Sequence, residues 1–342
     1  MDFNLSPLLV IWEVTQACDL ACVHCRSNTQ PERNADELST LEGQRLLEEI
    51  KQFGNPLVVL SGGDPLKRPD LYDLVRSSVQ LGLRTNITPS ATPLLTAQAI
   101  DEFKNSGISR MAISLDGPDA PTHDGFRRTE GTYDQAIFAL RHAREIGLET
   151  QVLTTVNRNN LSKLAHIAEL VADAHSKMWT VFFLEDLTAA EYEKVFEFLF
   201  DISKIAPFEV KTSEASHYRR YIAQRLKVEH GGRGGANGRL LWRTTGVSDG
   251  RGFVFISHTG EIFPSGFLPV SAGNARRDSL VDVYRNSSLF RILRTPQANV
   301  GKCGYCEYHK LCGGSRARAY ALTGNYLEGD PRCSYQPRSF QG

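Results

Sequence analysis

Apolar residues follow two alternating rhythms over the first two hundred positions. Short, nearly continuous apolar runs at 8–14, 57–60, 83–87, 111–115, 150–156 and 178–184 read as six β-strands. Between them, apolar residues recur at spacings of three and four. One such face carries Leu46, Leu47, Ile50 and Phe53; another carries Leu94, Leu95, Ile100 and Phe103 and stops near Gly107. A further helix starts at Tyr133 and ends at Gly147, a glycine stop. Six strand–helix units in succession predict a parallel sheet with right-handed crossovers. Eight would close a barrel; six predict an α/β fold of the partial, open (β/α)6 TIM-like kind. In such a fold ligands gather at the C-terminal ends of the strands.

Beyond about residue 200 the rhythm changes. A helical stretch from Tyr218 to Leu226 leads into a glycine-rich segment, 229–238, that reads as a surface loop. It lacks the strand-before, helix-after context of a phosphate loop. Two short apolar runs, 252–256 and 261–263, flank His258-Thr259-Gly260 and predict a hairpin. The expected organisation is a barrel over 1–205, a bridging segment over 206–250 and a small C-terminal domain over 251–342.

Charge and composition narrow the function classes. The 342 residues hold 39 Lys plus Arg against 39 Asp plus Glu, so no net charge recommends nucleic acid or an anionic membrane as partner. No run approaches the roughly 18 apolar residues of a membrane span. The first residues, Met1 to Pro7, lack the pattern of a secretory signal, which predicts a cytoplasmic protein. In a reducing compartment, bunched cysteines point to metal or redox chemistry rather than disulfides. All seven are bunched: Cys18, Cys22 and Cys25 near one end, and Cys303, Cys306, Cys312 and Cys333 near the other.

Cys18, Cys22 and Cys25 have the spacing C-x3-C-x2-C in the loop after the first strand. Three thiolates on one loop can hold three irons of a cubane cluster and leave the fourth iron open to a small-molecule ligand. A zinc site would need a fourth ligand, for which His24 stands inside the loop. Ser61-Gly62-Gly63-Asp64-Pro65 follows the second strand, where two glycines allow close backbone approach to a ligand. Ser114-Leu115-Asp116-Gly117 follows the fourth strand, with Arg127 after it.

Together these motifs resemble the radical S-adenosylmethionine (SAM) superfamily over nearly the whole chain. The resemblance implies a [4Fe–4S] cluster on Cys18, Cys22 and Cys25, an open iron chelated by SAM, and reductive SAM cleavage to a 5′-deoxyadenosyl radical. It also implies an external electron donor such as flavodoxin or ferredoxin. It gives Gly62, Gly63, Asp64 and Pro65 to a GGEP-like SAM motif, with Asp64 accepting from the SAM ammonium. Ser114 and Arg127 are expected against the ribose and carboxylate, the planar Arg fork suiting a carboxylate. Asp116 is instead a candidate cap for the following turn. Arg128 is weighed equally between a SAM contact and a surface charge. Thr85, Asn86, Thr88 and Asn157 are weaker candidates for the pocket wall.

Cys303, Cys306, Cys312 and Cys333 give C-x2-C-x5-C-x20-C, enough for one fully ligated [4Fe–4S] cluster or an all-cysteine zinc site. Beside the triad, this tail resembles the SPASM class of auxiliary-cluster domains in a reduced, twitch-like form. Ser265 and Ser315 stand where fuller relatives carry cysteine, which implies one auxiliary cluster rather than two. If Cys333 is a ligand, the cluster is closed and suited to electron transfer; if not, an open iron is left for substrate.

Within the superfamily the chain resembles the heme-biosynthesis group. The likeness rests on Ile11 to Thr15, His24-Cys25-Arg26, Ile256 to Glu261, Leu268 to Asn274 and Cys312 to Tyr326. His24 in the aromatic place of the triad marks that subgroup. Thr88 to Pro93 differs from the group's usual Asn-Gly-Thr and points to a sister subfamily. The likeness implies oxidative decarboxylation of tetrapyrrole propionates, with Arg243, Arg316 and Arg318 as candidate propionate clamps and His258 as a candidate ligand to substrate iron. Each of the four also reads as an ordinary surface or turn residue. The rivals are ribosomal-peptide maturation and a non-enzymatic Fe–S or zinc scaffold. No precursor-binding domain is evident ahead of the first strand, which weighs against the peptide reading.

Overall fold

The computed structural model of the chain describes residues 2–184, 186–229 and 247–340. The glycine-rich segment from 230 onward and Arg243 lie outside the described residues. All six predicted strands form: β1 (Leu9–Glu13), β2 (Leu57–Ser61), β3 (Arg84–Ile87), β4 (Arg110–Ser114), β5 (Thr150–Val156) and β6 (Met178–Phe183). They pair parallel in chain order, with register Leu9↔Leu57 at one end and Gln151↔Met178 at the other.

The sheet runs past both predicted domain boundaries. A seventh strand, β7 (Glu209–Thr212), lies parallel on β6 in register Met178↔Glu209. Its sequence, Glu-Val-Lys-Thr, alternates polar and apolar and makes no apolar run. The predicted hairpin also exists, as β8 (Phe253–Ile256) and β9 (Glu261–Phe263), antiparallel about a turn whose Gly260 has φ +87°. β8 also pairs parallel with β1, Leu9↔Phe253. With β10 (Gly273–Asn274), the full order is β10-β9-β8-β1-β2-β3-β4-β5-β6-β7. Among the described residues eight strands are thus parallel, and the sheet stays open between β7 and the β9–β10 edge.

Along β5, residues alternate strictly between buried and half-buried. Of the buried set, Val152 and Val156 join the hydrophobic core. On β1 the buried apolar residues are Val10 and Trp12, which join Leu46, Leu47 and Ile50 of α1 (Thr40–Lys51) and Leu74 of α2 (Leu71–Gln80) in the core. The helix expected from residue 94 begins later, as α3 (Ala97–Asn105), because Thr96 accepts from Ala99 N and caps it. Then come α4 (Ala120–Arg127) and α5 (Thr132–Glu145) before β5. α6 (Leu164–Asp173) and α7 (Ala189–Ile205) follow β5 and β6. The predicted 218–226 helix is α8 (Tyr218–Glu229). No helix among the described residues is long and apolar enough to cross a membrane.

Candidate active site

The loop after β1 is held by buried polar groups at its base. Glu37 accepts from Thr15 Oγ1 at 2.6 Å and from Gln16 N at 2.9 Å. Glu13, at the end of β1, accepts from Arg26 Nη2 at 2.7 Å and Ser27 Oγ at 2.5 Å, and meets His258 Nδ1 at 2.7 Å. Cys18 N donates to Gln30 O, closing the loop on itself. The three thiols it presents are all unbridged. Cys18 Sγ accepts from Leu20 N at 3.4 Å and lies 3.5 Å from Ser90 Oγ, while Cys22 Sγ accepts from Arg127 Nη1 at 3.7 Å. Burial pushes the Cys18 and Cys22 thiols up, and Arg127 opposes this at Cys22. Sulfurs that accept N–H and guanidinium donors suit bound iron, which takes the thiolate form.

His24 does not reach toward a fourth-ligand position. Its ring stacks on Phe126 at 4.2 Å and 6°, so it fills the aromatic place as a flat ring. Burial pushes its pKa down to about 4, which keeps that ring neutral.

Beside the triad lies a cavity with about 480 Å³ of open space. Gly62, Gly63, Ser114 and Arg127 line it, four of the six residues expected at SAM. Asp64 and Pro65 do not. The Asp64 carboxylate is fully buried, accepting from Thr92 Oγ1 at 2.7 Å, Leu66 N at 3.2 Å and Ser90 N at 3.4 Å. It braces the loop from behind, so the ammonium role expected of it is corrected. Pro65 opens the short 3-10 turn Pro65–Lys67.

Arg127 is corrected in part. Its Nε and Nη2 both bond Asp116 Oδ2, at 2.8 and 2.5 Å, so the fork is already taken and only Nη1 faces the triad. Asp116 is no cap; Asp119 caps α4 instead. Arg128 is the left-handed C-cap of α4, φ +54°. Thr88 lines the cavity, whereas Thr85 and Asn86 are buried and Asn157 holds its own loop through Asn159 N.

Three polar lining residues, Ser90, Thr132 and His123, were given no role from the sequence. Ser90 joins Cys18 to the glycine loop by donating to Gly63 O at 2.8 Å. The only signal was its place after β3, inside the departure at Thr88 to Pro93. Thr132 and His123 complete the wall. The His123 pKa is pushed from 6.5 down to about 4, chiefly by burial and then by Arg127. Between those pH values the unfolded chain takes up a proton at this ring and the folded chain does not. Folding stability therefore falls as pH drops from 6.5 toward 4, by up to about 3 kcal/mol from this group. Urea unfolding across that window is expected to show a smaller fall in His123→Gln than in the parent.

At the other thiol group, Cys303, Cys306, Cys312 and Cys333 line one cavity with about 370 Å³ of open space. Each sulfur accepts a backbone N–H. Asp330 N reaches Cys303 at 3.3 Å, Tyr308 N reaches Cys306 at 3.4 Å, and Gly314 N reaches Cys312 at 3.3 Å. The backbone at Tyr335 serves Cys333. Gly313 and Gly314, φ +72° and +71°, turn the chain so that this can happen.

Ser315 caps the helix Arg316–Thr323 and donates to Glu214 Oε2 at 2.8 Å; Ser265 is 4% exposed and holds a local turn through Phe267 N. Arg316 and Arg318 are buried and tied inward. Arg316 Nη1 bonds Tyr326 O and Glu328 O, and Arg318 bonds Glu214 O and Asp330. Their burial corrects the reading of both as surface charges. His258 serves as the link from Glu13 to the hairpin turn.

Residues 12–171 match the radical SAM superfamily. An AdoMet-dependent heme synthase of Oleidesulfovibrio alaskensis is 39% identical over 98% of this chain and 89% of its own length. Another, from Methanosarcina barkeri, is 36% identical over 97% of each. Among solved structures, Streptococcus suis SuiB bound to S-adenosylmethionine matches 97% of this chain and 78% of that one, with TM-score 0.76 and 18% identity. That likeness extends through the C-terminal region, so the partial barrel and the cysteine-rich tail form one known fold. The chain is a radical SAM enzyme and belongs with the AdoMet-dependent heme synthases of that superfamily.

Proposed function

We propose that the chain oxidatively decarboxylates propionate side chains of an iron-porphyrin precursor in heme biosynthesis, in the cytoplasm. Turning –CH2–CH2–COO⁻ into a vinyl group removes one hydrogen atom, one CO2 and one electron. The observation that carries the reading is that this chain has a place for each redox task. The triad and its cavity stand at the C-terminal ends of β1, β2 and β4, and a separate four-thiol cavity stands in the tail. With a cluster and SAM bound, the first site would supply a 5′-deoxyadenosyl radical for hydrogen abstraction.

Gly62 and Gly63 bring backbone to the cavity wall, Ser114 offers a hydroxyl, and the free Nη1 of Arg127 offers positive charge beside Cys22. At the second site, four N–H donors stabilise electron-rich sulfur, and four thiols round an open cavity support one closed [4Fe–4S] cluster over a zinc ion. The engaged hydroxyls of Ser265 and Ser315 support one such cluster rather than two. Cys303, Cys306, Cys312 and Cys333 would hold that cluster, which when bound would supply an acceptor for the leftover electron. A flavodoxin or ferredoxin would supply the electron that starts SAM cleavage.

The fold likeness to SuiB, also solved bound to precursor peptide SuiA, favours peptide maturation as the second reading. The test is anaerobic turnover of the reconstituted, reduced protein with SAM and iron coproporphyrin III. Formation of 5′-deoxyadenosine with CO2 and vinyl products is expected. 5′-Deoxyadenosine with intact porphyrin would overturn the substrate, and none under any reducing condition would overturn the enzyme reading.

A further inference from the structure

His217 lies between β7 and α8, with no exposed surface, and lines the four-cysteine cavity. Its ring is fixed by stacking on Tyr192 (centroids 5.4 Å apart) and by an edge contact with Phe196 at 4.8 Å. Neither ring nitrogen has a hydrogen-bond partner. A dry, unpaired imidazole is destabilising, so such a group calls for a reason.

One neighbour supplies it. Asp330 Oδ2 is 3.6 Å from His217 Nδ1, and its carboxylate is held by Ser315 N at 2.9 Å, Arg332 N at 3.0 Å and Arg318 Nη1 at 3.4 Å. An ionised carboxylate beside Nδ1 favours the tautomer with its proton there, which leaves a lone pair on Nε2. A histidine with one nitrogen beside a carboxylate, itself lining a cavity of thiols, has the makings of a metal-ligating histidine. Asp330 also touches the cysteines directly, since its own N–H donates to Cys303 Sγ. One residue thus sets both a thiolate and the imidazole.

Four thiolates already complete a four-iron cluster, so the imidazole is a fifth donor. Three of the thiolates come from one compact stretch, Cys303 to Cys312. Cys333 comes from the last described segment, which has no regular secondary structure. It is the one of the four that lies outside that stretch.

We propose that His217 is a standby ligand of the auxiliary cluster, taking an iron through Nε2 when Cys333 leaves. The proposal rests on the reading that these cysteines hold a cluster. Exchange of thiolate for neutral imidazole makes the cluster less negative and raises its reduction potential, as histidine ligation does elsewhere. The tail would then set how readily the site accepts an electron.

The test uses the full chain, reconstituted anaerobically with iron and sulfide, with spectra recorded without SAM. The parent and His217→Phe are expected to hold about eight irons per chain, as two four-iron clusters require. Cys333→Ala is expected to keep about eight. Its reduced auxiliary cluster should show a strong 14N coupling in pulsed EPR that the parent lacks, and a higher midpoint potential. Cys333→Ala with His217→Phe should fall to about four. The proposal is overturned if Cys333→Ala alone falls to about four irons, or keeps eight without nitrogen coupling. A parent that never exceeds about four irons removes the auxiliary cluster itself, and the proposal with it.

Discussion

Gly63→Ala is expected to cut 5′-deoxyadenosine formation by at least about a hundredfold while leaving the auxiliary iron in place, as misplacement by about 1 Å near a reacting centre can do. A methyl group at Gly63 would sit 2.3 Å from Ala17 O, 2.7 Å from Ala17 C and 2.7 Å from Gln16 O. All three are backbone atoms, so no side chain can swing away. The same two loops are joined by Val14 N to Ser61 O (2.8 Å), Gly63 N to Thr15 O (2.9 Å) and Asp64 N to Ala17 O (2.6 Å). Relief of the clash must push the Cys18 segment off the glycine loop and break this ladder. Overpacking of this kind costs about 1–3 kcal/mol. Gly125→Ala is the control: a methyl there meets nothing within 4 Å. Iron content, SAM binding and 5′-deoxyadenosine yield would be compared. Wild-type yield from Gly63→Ala would show that the loops are not held as described.

Asp116→Ala is expected to lower folding stability by about 3–5 kcal/mol, the usual penalty for stripping one partner from a buried ion pair. Asp116 is fully buried and ties together three elements at the cavity: β4, two residues before it, β5 through Thr155 N at 2.7 Å, and α4 through Arg127. Its loss leaves the guanidinium, with a side chain only 13% exposed, without a counter-charge. The double variant Asp116→Ala with Arg127→Met should recover part of that stability, because the orphaned charge goes too. It should not recover SAM binding, since Nη1 is gone. Urea unfolding and SAM titration of all three variants check both statements. A double variant no more stable than Asp116→Ala would mean that Asp116 acts through Thr155 rather than Arg127.

The six strands were legible because each is a short apolar run bounded by glycine, proline or polar turns. β7 was not, because Glu209 and Lys211 interrupt the run, and a strand flanked on one side only needs no continuous apolar stretch. The hairpin pattern gave the local pair β8–β9, but local pattern carries no information about β1 as the second neighbour of β8. At the site, cysteine spacing and paired glycines are chemically narrow signals: Gly62 and Gly63 line the cavity beside the triad, and the four C-terminal cysteines line the other. Asp64 and Arg127 show the limit. Residue type says that a carboxylate accepts and a guanidinium forks, but not which group takes them, and here Thr92 and Asp116 do. Arg316 and Arg318 read more readily as surface charges, and residue type could not tell that both are buried. Ser90 and Thr132 are too ordinary in type to stand out before the loops are in place.

The pairing of β8 with β1 also orders events on the ribosome. β1 emerges early and β8 late, so until residue 256 is out, one side of Leu9–Glu13 is a bare row of N–H and C=O groups. Contacts between such distant segments have high contact order and form slowly. The loop bearing Cys18 shares the delay, because Glu13 meets His258, and Leu38 N meets His258 O, only when the hairpin arrives. The unfinished chain is thus the aggregation-prone species. Iron loading at the triad belongs after release of the finished chain, and fragments ending before residue 253 are expected to precipitate when expressed alone.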